Sequence, residues 1–330
     1  MPDALPIADL ADRVRGGDRR ALAQAITLVE STRPDHRKQA ETLLAALLPH
    51  AGNGVRVGIS GVPGVGKSTF IEAFGLHVID RGHKVAVLAI DPTSQRTGGS
   101  ILGDKTRMEL LSRDTSAFIR PSPAGSTLGG VARRTREAML LVEAAGFDVV
   151  IVETVGVGQS ETAVADMVDL FLLLLPPAGG DELQGIKKGI VELADMIVVN
   201  KADGDLANAA RHAEAEYRHA LSLLRPANSN WRVPVLSCSA LHKTGIDGIW
   251  DRIGDYRRLL GGDGALDRRR AEQARAWMWN EIRENLIAAF QGDPAVRAEL
   301  PGLEQAVSAG GVTPGAAARR LLDLFRREGR

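Results

Sequence analysis

The stretch Val55-Arg-Val-Gly-Ile-Ser-Gly-Val-Pro-Gly-Val-Gly-Lys-Ser-Thr69 decides the fold of this chain. Its first half is rich in β-branched residues, which predicts a strand. Its second half has the spacing G-x-x-x-x-G-K-[ST], in which glycines let backbone N–H groups face phosphate oxygens. A helix that begins near Lys67 would add the positive end of its dipole at the same place. We therefore expect a strand, a phosphate-binding loop and a helix within an α/β fold.

The side chains of this loop have separate predicted tasks. Lys67 would neutralise the β- and γ-phosphates of a nucleotide, and the Ser68 hydroxyl would bind Mg²⁺. An ordinary glycine-rich turn is the alternative, but the strand before the loop and the helix after it favour a phosphate site. The predicted nucleotide-binding residues here are Gly61, Val62, Pro63, Gly64, Val65, Gly66, Lys67, Ser68 and Thr69.

Short apolar runs that alternate with helical patterns follow this stretch. Such alternation is typical of a mainly parallel sheet flanked by helices, which is the fold of P-loop nucleotide hydrolases. The further predicted strands are residues 85–90, 149–152, 170–175, 197–199 and 233–236. We assign residues 52–256 to this core domain.

Both ends of the chain carry helical patterns without strands. Apolar residues recur every three to four positions in residues 1–51, which predicts an N-terminal helical extension. Residues 255–264 are interpreted as a connection to further helices within residues 268–290 and 314–327. We therefore expect residues 257–330 to form a C-terminal helical arm.

The composition disfavours several classes of protein. Lys and Arg total 41, as do Asp and Glu, so no excess positive charge would attract the chain to nucleic acid. Cys238 is the single cysteine, which excludes an internal disulfide framework and indicates a reducing, cytoplasmic compartment. The longest apolar run, residues 170–177, is far shorter than the ~20 residues needed to cross a bilayer. We expect no membrane partner.

The tetrapeptide Asn200-Lys-Ala-Asp203 directly follows a predicted strand, at the edge where parallel sheets bind ligands. An aspartate there can accept hydrogen bonds from the N1–H and exocyclic amine of guanine, whereas adenine has an acceptor at N1. A later Ser-Cys-Ser-Ala-Leu segment could place a backbone amide at the guanine O6. Together with the phosphate loop, these segments predict GTP and GDP as ligands. The predicted contacts are Asn200, Lys201, Asp203, Ser239, Ala240 and Leu241.

A third segment is an apolar strand that ends in Glu153, with Gly156 three positions later. It matches the D-x-x-G motif of GTPases with Glu in place of Asp. The carboxylate would hold Mg²⁺ through water, and the Gly156 amide would sense the γ-phosphate. Asp91, which follows another strand, is predicted to bind Mg²⁺ or to orient the attacking water. The predicted catalytic residues are Lys67, Asp91 and Glu153, and the predicted metal ligands are Ser68, Asp91 and Glu153.

The residue after Gly156 is Val157, where Ras-like GTPases have the glutamine that positions water. We therefore expect slow GTP hydrolysis without a partner. Gln159, two positions further, is a candidate substitute. A GTP-binding scaffold without turnover stays open as an alternative, which a hydrolysis assay would separate.

Several longer segments closely resemble the methylmalonyl-CoA mutase-associated GTPases, called MeaB or ArgK. Two of them are Glu153-Thr-Val-Gly-Val-Gly-Gln-Ser-Glu161 and Pro176-Pro-Ala-Gly-Gly-Asp-Glu-Leu-Gln-Gly-Ile-Lys-Lys188, and others occupy residues 91–108 and 128–133. The resemblance implies the fold of the signal-recognition and metal-insertion branch of P-loop GTPases. It also implies a GTP-hydrolysing chaperone of adenosylcobalamin-dependent methylmalonyl-CoA mutase, or of a related cobalamin-dependent acyl-CoA mutase. Such a chaperone gates cofactor loading and protects or reactivates the mutase.

The same resemblance implies two contact regions. Residues 178–188 would be a mobile switch that transmits the nucleotide state to the mutase and speeds turnover, through Gln184, Lys187 and Lys188. The C-terminal helices would be a homodimerisation arm, although helices that simply cap the core are a competing interpretation.

Two other functions share part of this sequence pattern. A metallochaperone GTPase shares the fold, but the seven histidines are scattered and Cys238 stands alone, so no ligand set has a recognisable spacing. A kinase, once suggested by the ArgK name, would use ATP, and the guanine-selecting tetrapeptide argues against it.

Overall fold

The computed structural model describes residues 6–91, 108–123, 128–154, 160–177, 188–222 and 231–328. Within these ranges the strands are β1 (Val55–Gly61), β2 (Val85–Asp91), β3 (Ala117–Pro123), β4 (Val149–Thr154), β5 (Leu170–Leu175), β6 (Met196–Val199) and β7 (Val235–Ser237). They form one sheet in the order β3-β2-β4-β1-β5-β6-β7, and every recorded pair is parallel. The predicted mainly parallel sheet is confirmed.

Helices precede, connect and follow these strands. The helices of the described residues are α1 (Ile7–Arg15), α2 (Arg19–Glu30), α3 (Pro34–Leu47), α4 (Lys67–Asp80), α5 (Glu109–Arg113), α6 (Leu128–Ala144), α7 (Ser160–Ala165), α8 (Lys188–Leu193), α9 (Ala207–Ser222), α10 (Ile246–Gly262), α11 (Ala265–Gly292), α12 (Pro294–Ser308) and α13 (Pro314–Glu328). Short 3₁₀ turns cover Leu48–His50 and Gly204–Leu206.

Strand β1 lies in the middle of the sheet, between β4 and β5. All of its residues are buried, as expected for a parallel sheet that is covered on both faces. Phe70 and Phe74 of α4 stack with ring centroids 5.7 Å apart, and they share a core with Val57 and Ile59. Because the strand order reverses around β1, the crevice at its carboxyl end is where such sheets bind ligands.

A buried ion pair stands at the opposite, amino-terminal edge of the sheet. Arg56 of β1 donates from Nε to Glu143 Oε1 at 2.7 Å and from Nη2 to Oε2 at 2.8 Å. The two side chains are 6% and 2% exposed. The backbone N–H of Gly52 also donates to this carboxylate, at 2.6 Å. The bidentate pair therefore ties the entrance of β1 to the end of α6.

The beginning of α11 is attached to the same edge. Arg270 donates from Nε and Nη2 to the two carboxylate oxygens of Asp169, at 2.8 and 2.6 Å. Asp169 also accepts the backbone N–H of Arg56, and Gln273 Nε2 donates to the carbonyl of Val168 at 2.9 Å. These bonds fix the residues that lead into β5.

Three elements differ from the sequence-based expectation. The connection expected at residues 255–264 is wrong for residues 255–262, because α10 continues to Gly262 with Ile253, Tyr256 and Leu260 buried at helical spacing. Strand β3 was not predicted, since its two prolines are typical of an edge strand, which is its position here. Helix α12 was also missed, and it begins at a proline capped by Asp293, which accepts from Val296 N.

The chain separates into two compact units, Met1–Gln273 and Ala274–Arg330. The second unit has its own small core, in which α12 and α13 bury Val296, Leu303, Ala317 and Leu321. The first unit contains the sheet and the N-terminal helices. No helix in the described ranges is long and apolar enough to span a bilayer.

Candidate nucleotide-binding site

The loop between β1 and α4 uses its glycines for identifiable reasons. Gly64 and Gly66 have φ values of +80° and +93°, which side chains with a Cβ rarely adopt. A Cβ on Gly61 would lie 2.5 Å from the carbonyl oxygen of Leu174, which is a clash with the backbone of β5. The two glycines of the pattern, Gly61 and Gly66, and Gly64 between them are therefore required by the geometry of this turn.

Lys67, the first residue of α4, lies across this loop. Its Nζ donates to the carbonyl of Gly61 at 2.7 Å and to that of Val62 at 3.3 Å. Burial lowers the pKa of Lys67, while the negative charges of Glu153 and Glu161 act to raise it. The ammonium is thus held at the loop by two backbone carbonyls, where it can neutralise a phosphate.

Glu153 is the penultimate residue of β4 and is 5% exposed. It pairs in register with Ile59 of β1 on one side and with Ala89 of β2 on the other. Glu161, in the first turn of α7, is also buried and was given no individual role from the sequence. The spacing between Glu153 and Glu161 fits no known motif. The fold, however, brings Glu161 close enough to Lys67 for its charge to act to raise the pKa of that lysine.

The residues present fit Mg²⁺. Ser68 lies in the first turn of α4, and Glu153 supplies a buried carboxylate, so both donors are the oxygen atoms that Mg²⁺ prefers. Asp91 ends β2 beside β4, and its side chain lies outside the described part of the structure. Among the described side chains, no three His, Cys, Asp or Glu residues form a metal-binding group.

Asn200 connects the phosphate loop to the segment after β7. Its Nδ2 donates to the carbonyl of Val65 at 2.9 Å, and its Oδ1 accepts the N–H of Ala240 at 3.1 Å. Lys201, with φ +61°, donates from Nζ to the carbonyl of Gly64 at 2.7 Å. The three sequence-predicted segments therefore meet at one edge of the sheet.

The predicted base-reading side of the site contains Asp203 and the segment after β7. Asp203 Oδ2 accepts a hydrogen bond from the Ser239 hydroxyl, and the N–H of Ala202 donates to the carbonyl of Cys238 at 2.9 Å. Leu241 is 71% exposed beside them. This arrangement can present a carboxylate to guanine N1–H and its exocyclic amine.

Cys238 contributes a thiol to the same cluster. Its Sγ lies 3.5 Å from Asn200 Oδ1, and burial raises its pKa to about 12, with a further contribution from Asp203. The group therefore stays a neutral thiol at physiological pH and helps to orient the amide of Asn200.

Several predicted residues cannot be placed. Gly156, Gln184 and Lys187 lie outside the described residues, as do Val157 and Gln159. Lys188 begins α8, but its side chain is not among those described. Of the loop residues, Thr69 is exposed and Val65 is buried.

A family model described as methylmalonyl Co-A mutase-associated GTPase MeaB matches residues 22–295. The chain belongs to the MeaB family. A relative from Caulobacter vibrioides, named putative GTPase, is 60% identical and covers 98% of this chain and 99% of its own. A mouse relative, named methylmalonic aciduria type A homolog, mitochondrial, is 51% identical over 94% of this chain and 77% of its own.

A solved structure supports the same assignment. It is titled LAO/AO transport system kinase, is 41% identical, covers 99% of both chains and has a TM-score of 0.79. Together with the site geometry, these matches make this MeaB-family chain a P-loop GTPase. The predicted family and fold class are confirmed.

Proposed function

We propose that this MeaB-family protein binds Mg²⁺–GTP, hydrolyses it to GDP and phosphate, and serves as a chaperone of adenosylcobalamin-dependent methylmalonyl-CoA mutase or a related acyl-CoA mutase. The observation that carries the nucleotide assignment is the contact of Asn200 with both the phosphate loop and the segment after β7. The family match supports the partner. A cytoplasmic location is proposed with it, on the reducing environment that Cys238 indicates.

The geometry supports a division of labour in hydrolysis. Backbone amides of the loop and Lys67 hold the phosphates and offset the charge that develops on them. Ser68 and Glu153, with Asp91 as a further candidate, would hold Mg²⁺, which supplies positive charge to the β- and γ-phosphates when it is bound. Val157 cannot orient water, so unassisted turnover is expected to be slow.

The mutase would supply the missing organisation. We place the coupling at Gln184, Lys187 and Lys188, in the segment that joins β5 to α8. Strand β5 runs parallel to β1, so it ends at the edge of the sheet that carries the site. A partner bound there can order groups around the γ-phosphate, and a tenfold gain in rate needs only ~1.4 kcal/mol.

The test is phosphate release with and without purified mutase, beside cobalamin transfer in GDP and in a non-hydrolysable GTP analogue. We expect faster hydrolysis with mutase and a nucleotide-dependent transfer. Lys188→Ala should weaken this coupling and leave nucleotide affinity nearly unchanged. Lys38→Ala, at an exposed lysine of α3, should change neither the coupling nor the nucleotide affinity. The chaperone role is contradicted if the mutase does not change the rate of GTP hydrolysis and if cobalamin transfer is the same with GDP and with the GTP analogue. The protein would then be a GTPase that does not serve this mutase.

We propose a homodimer through the C-terminal helices. Helix α11 exposes an apolar face with helical spacing, formed by Met278, Trp279, Ile282, Leu286 and Ile287. Large apolar patches of this kind mark interaction sites. A second copy is the simplest occupant, because a two-fold axis pairs the same face with itself and most soluble oligomers have such symmetry.

A further inference from the structure

Two hydroxyl groups meet beside the site. Thr154 Oγ1 donates to Ser60 Oγ at 2.8 Å, and both residues are fully buried. Thr154 directly follows Glu153, and Ser60 directly precedes Gly61, the first residue of the phosphate loop. The bond between these two hydroxyls, called the hydroxyl pair below, therefore links the residue after Glu153 to the residue before the phosphate loop.

The hydroxyl pair continues the connection of β1 and β4 where their backbone pairing ends. The recorded pairs of these strands finish at Ile59 opposite Glu153. Further along, Ser60 pairs with β5, and Thr154 pairs with β2. At Ser60 and Thr154, β1 and β4 therefore have no recorded backbone pairing with each other. The bond between the two hydroxyls joins the strands there, one residue beyond the last backbone pair.

The hydroxyl pair lies on the face of the sheet opposite Glu153. Side chains of successive strand residues alternate between the two faces, and paired residues in parallel strands share a face. Glu153 therefore shares the α4 face with Ile59. The other face meets α7, since a Cβ on Gly58 would lie 2.7 Å from Val164. The hydroxyls act on the site through the backbone of β4 and not by direct contact.

We propose that Thr154 and Ser60 are positioning residues for GTP hydrolysis, which hold the end of β4 so that the Glu153 carboxylate stays aimed at the Mg²⁺ site beside Lys67. This inference rests on the proposed Mg²⁺-dependent hydrolysis. Loss of the bond leaves the residue after Glu153 tied to β2 but no longer to β1, whereas the phosphate loop and the Asn200 contacts stay intact. The expected defect therefore lies in turnover and in the response to Mg²⁺, and not in guanine nucleotide affinity.

The experiment compares Thr154→Val with the unchanged protein, because valine keeps the shape of threonine and removes only the hydroxyl. We expect kcat to fall about tenfold, which corresponds to ~1.4 kcal/mol. The Mg²⁺ concentration for half-maximal activity should rise, while GDP affinity measured without Mg²⁺ stays the same. Thr154→Ser, which retains the hydroxyl, should recover most of the lost rate.

Two controls separate positioning from general stability. Thr135 of α6 is equally buried, and its Oγ1 donates to the carbonyl of Val131 at 3.0 Å, so Thr135→Val removes a buried hydroxyl whose bond lies within its own helix. It should lower the denaturation midpoint without a change in kcat or in the Mg²⁺ midpoint. The double variant Ser60→Ala with Thr154→Val should have the same kcat as Thr154→Val alone, because the two substitutions remove the same hydrogen bond.

The proposal is overturned if Thr154→Val keeps normal turnover, if GDP affinity falls as much as kcat, or if Thr135→Val gives the same kinetic defect. Absence of Mg²⁺-dependent hydrolysis in the unchanged protein would overturn the proposed function at the first measurement, and this inference with it. If the unchanged protein shows Mg²⁺-dependent hydrolysis and the Thr154 and Ser60 variants have the same kcat and Mg²⁺ midpoint, only the positioning role is refuted.

Discussion

Asn200 shows how one side chain holds together segments that are distant in the sequence. It contacts Val65 of the phosphate loop and Ala240 after β7, and its Nδ2 lies 2.9 Å from where a Cβ on Gly66 would be. The glycine at that position is thus needed for its φ value and also for space beside the amide. Asn200 therefore joins the predicted phosphate-binding segment to the predicted base-binding segment.

Asp203→Asn is expected to change which base is bound. An amide can accept from only one of the two guanine donors, so GTP affinity should fall by about 10- to 100-fold, the value of a hydrogen bond to a charged group. Xanthine nucleotides should gain, because their extra carbonyl accepts from the new amide. Calorimetry with GTP, XTP and ATP measures this.

The matched control is Asp205→Asn, the same substitution at an exposed position two residues later. It should leave all three affinities unchanged. Equal affinity of the unchanged protein for ATP and GTP would contradict the guanine assignment itself.

Lys67→Ala is expected to reduce hydrolysis by about 100-fold or more, the usual cost of removing one preorganised group that stabilises charge. The physical reason is the loss of the ammonium that the Gly61 carbonyl holds at the loop. Single-turnover phosphate release at saturating GTP measures the chemical step apart from affinity. Lys38→Ala should retain normal turnover, and an active Lys67→Ala protein would show that another group performs this role.

At the scale of elements, the buried pair of Arg56 and Glu143 joins β1 to α6. Glu143→Ala leaves a buried guanidinium without its partner, and we expect a loss of about 3–5 kcal/mol in the free energy of unfolding. Urea denaturation measures it. Asp35→Ala breaks the exposed pair with Arg33 and should cost far less, because solvent screens the attraction between two exposed charges. Similar losses in the two variants would mean that burial does not set the importance of the pair.

The elements near the motifs could be predicted because local pattern and function coincide there. Residues 55–69 carry strand propensity, the turn glycines and a helix start in one short window, and the structure has all three. Strand β3 could not be predicted, since an edge strand tolerates the prolines that local rules count against it. Glu161 could not be found either, because only the folding of α7 over β1 brings it near Lys67.

At the scale of the whole molecule, we predict that residues 1–273 form a monomer that still binds GTP. The cut follows Gln273 because Arg270 and Gln273 bond to the core and should be kept. Removing the apolar face of α11 removes the surface assigned to the second copy. Sedimentation equilibrium at micromolar concentration measures the association.

A full-length variant avoids relying on truncation alone. Ile282→Glu combined with Leu286→Glu should also give a monomer with unchanged GTP affinity, whereas Leu48→Glu, at an exposed leucine of the first unit, should stay dimeric. An unchanged protein that sediments as a monomer would refute the dimer.

Because β1 lies in the middle of the sheet, its neighbouring strands are synthesised well after β1 itself. Ser60 is bonded to a residue 94 positions later, and Arg56 to one 113 positions later. At the ~5–20 residues per second of translation, the first neighbour of β1 leaves the ribosome roughly 5–20 s after β1 itself. During that interval an apolar strand has both edges unpaired, which is the condition that favours aggregation. The phosphate loop follows β1, and β1 is held in a sheet only after β4 and β5 have been synthesised. A bound nucleotide therefore cannot assist the earliest folding of the nascent chain.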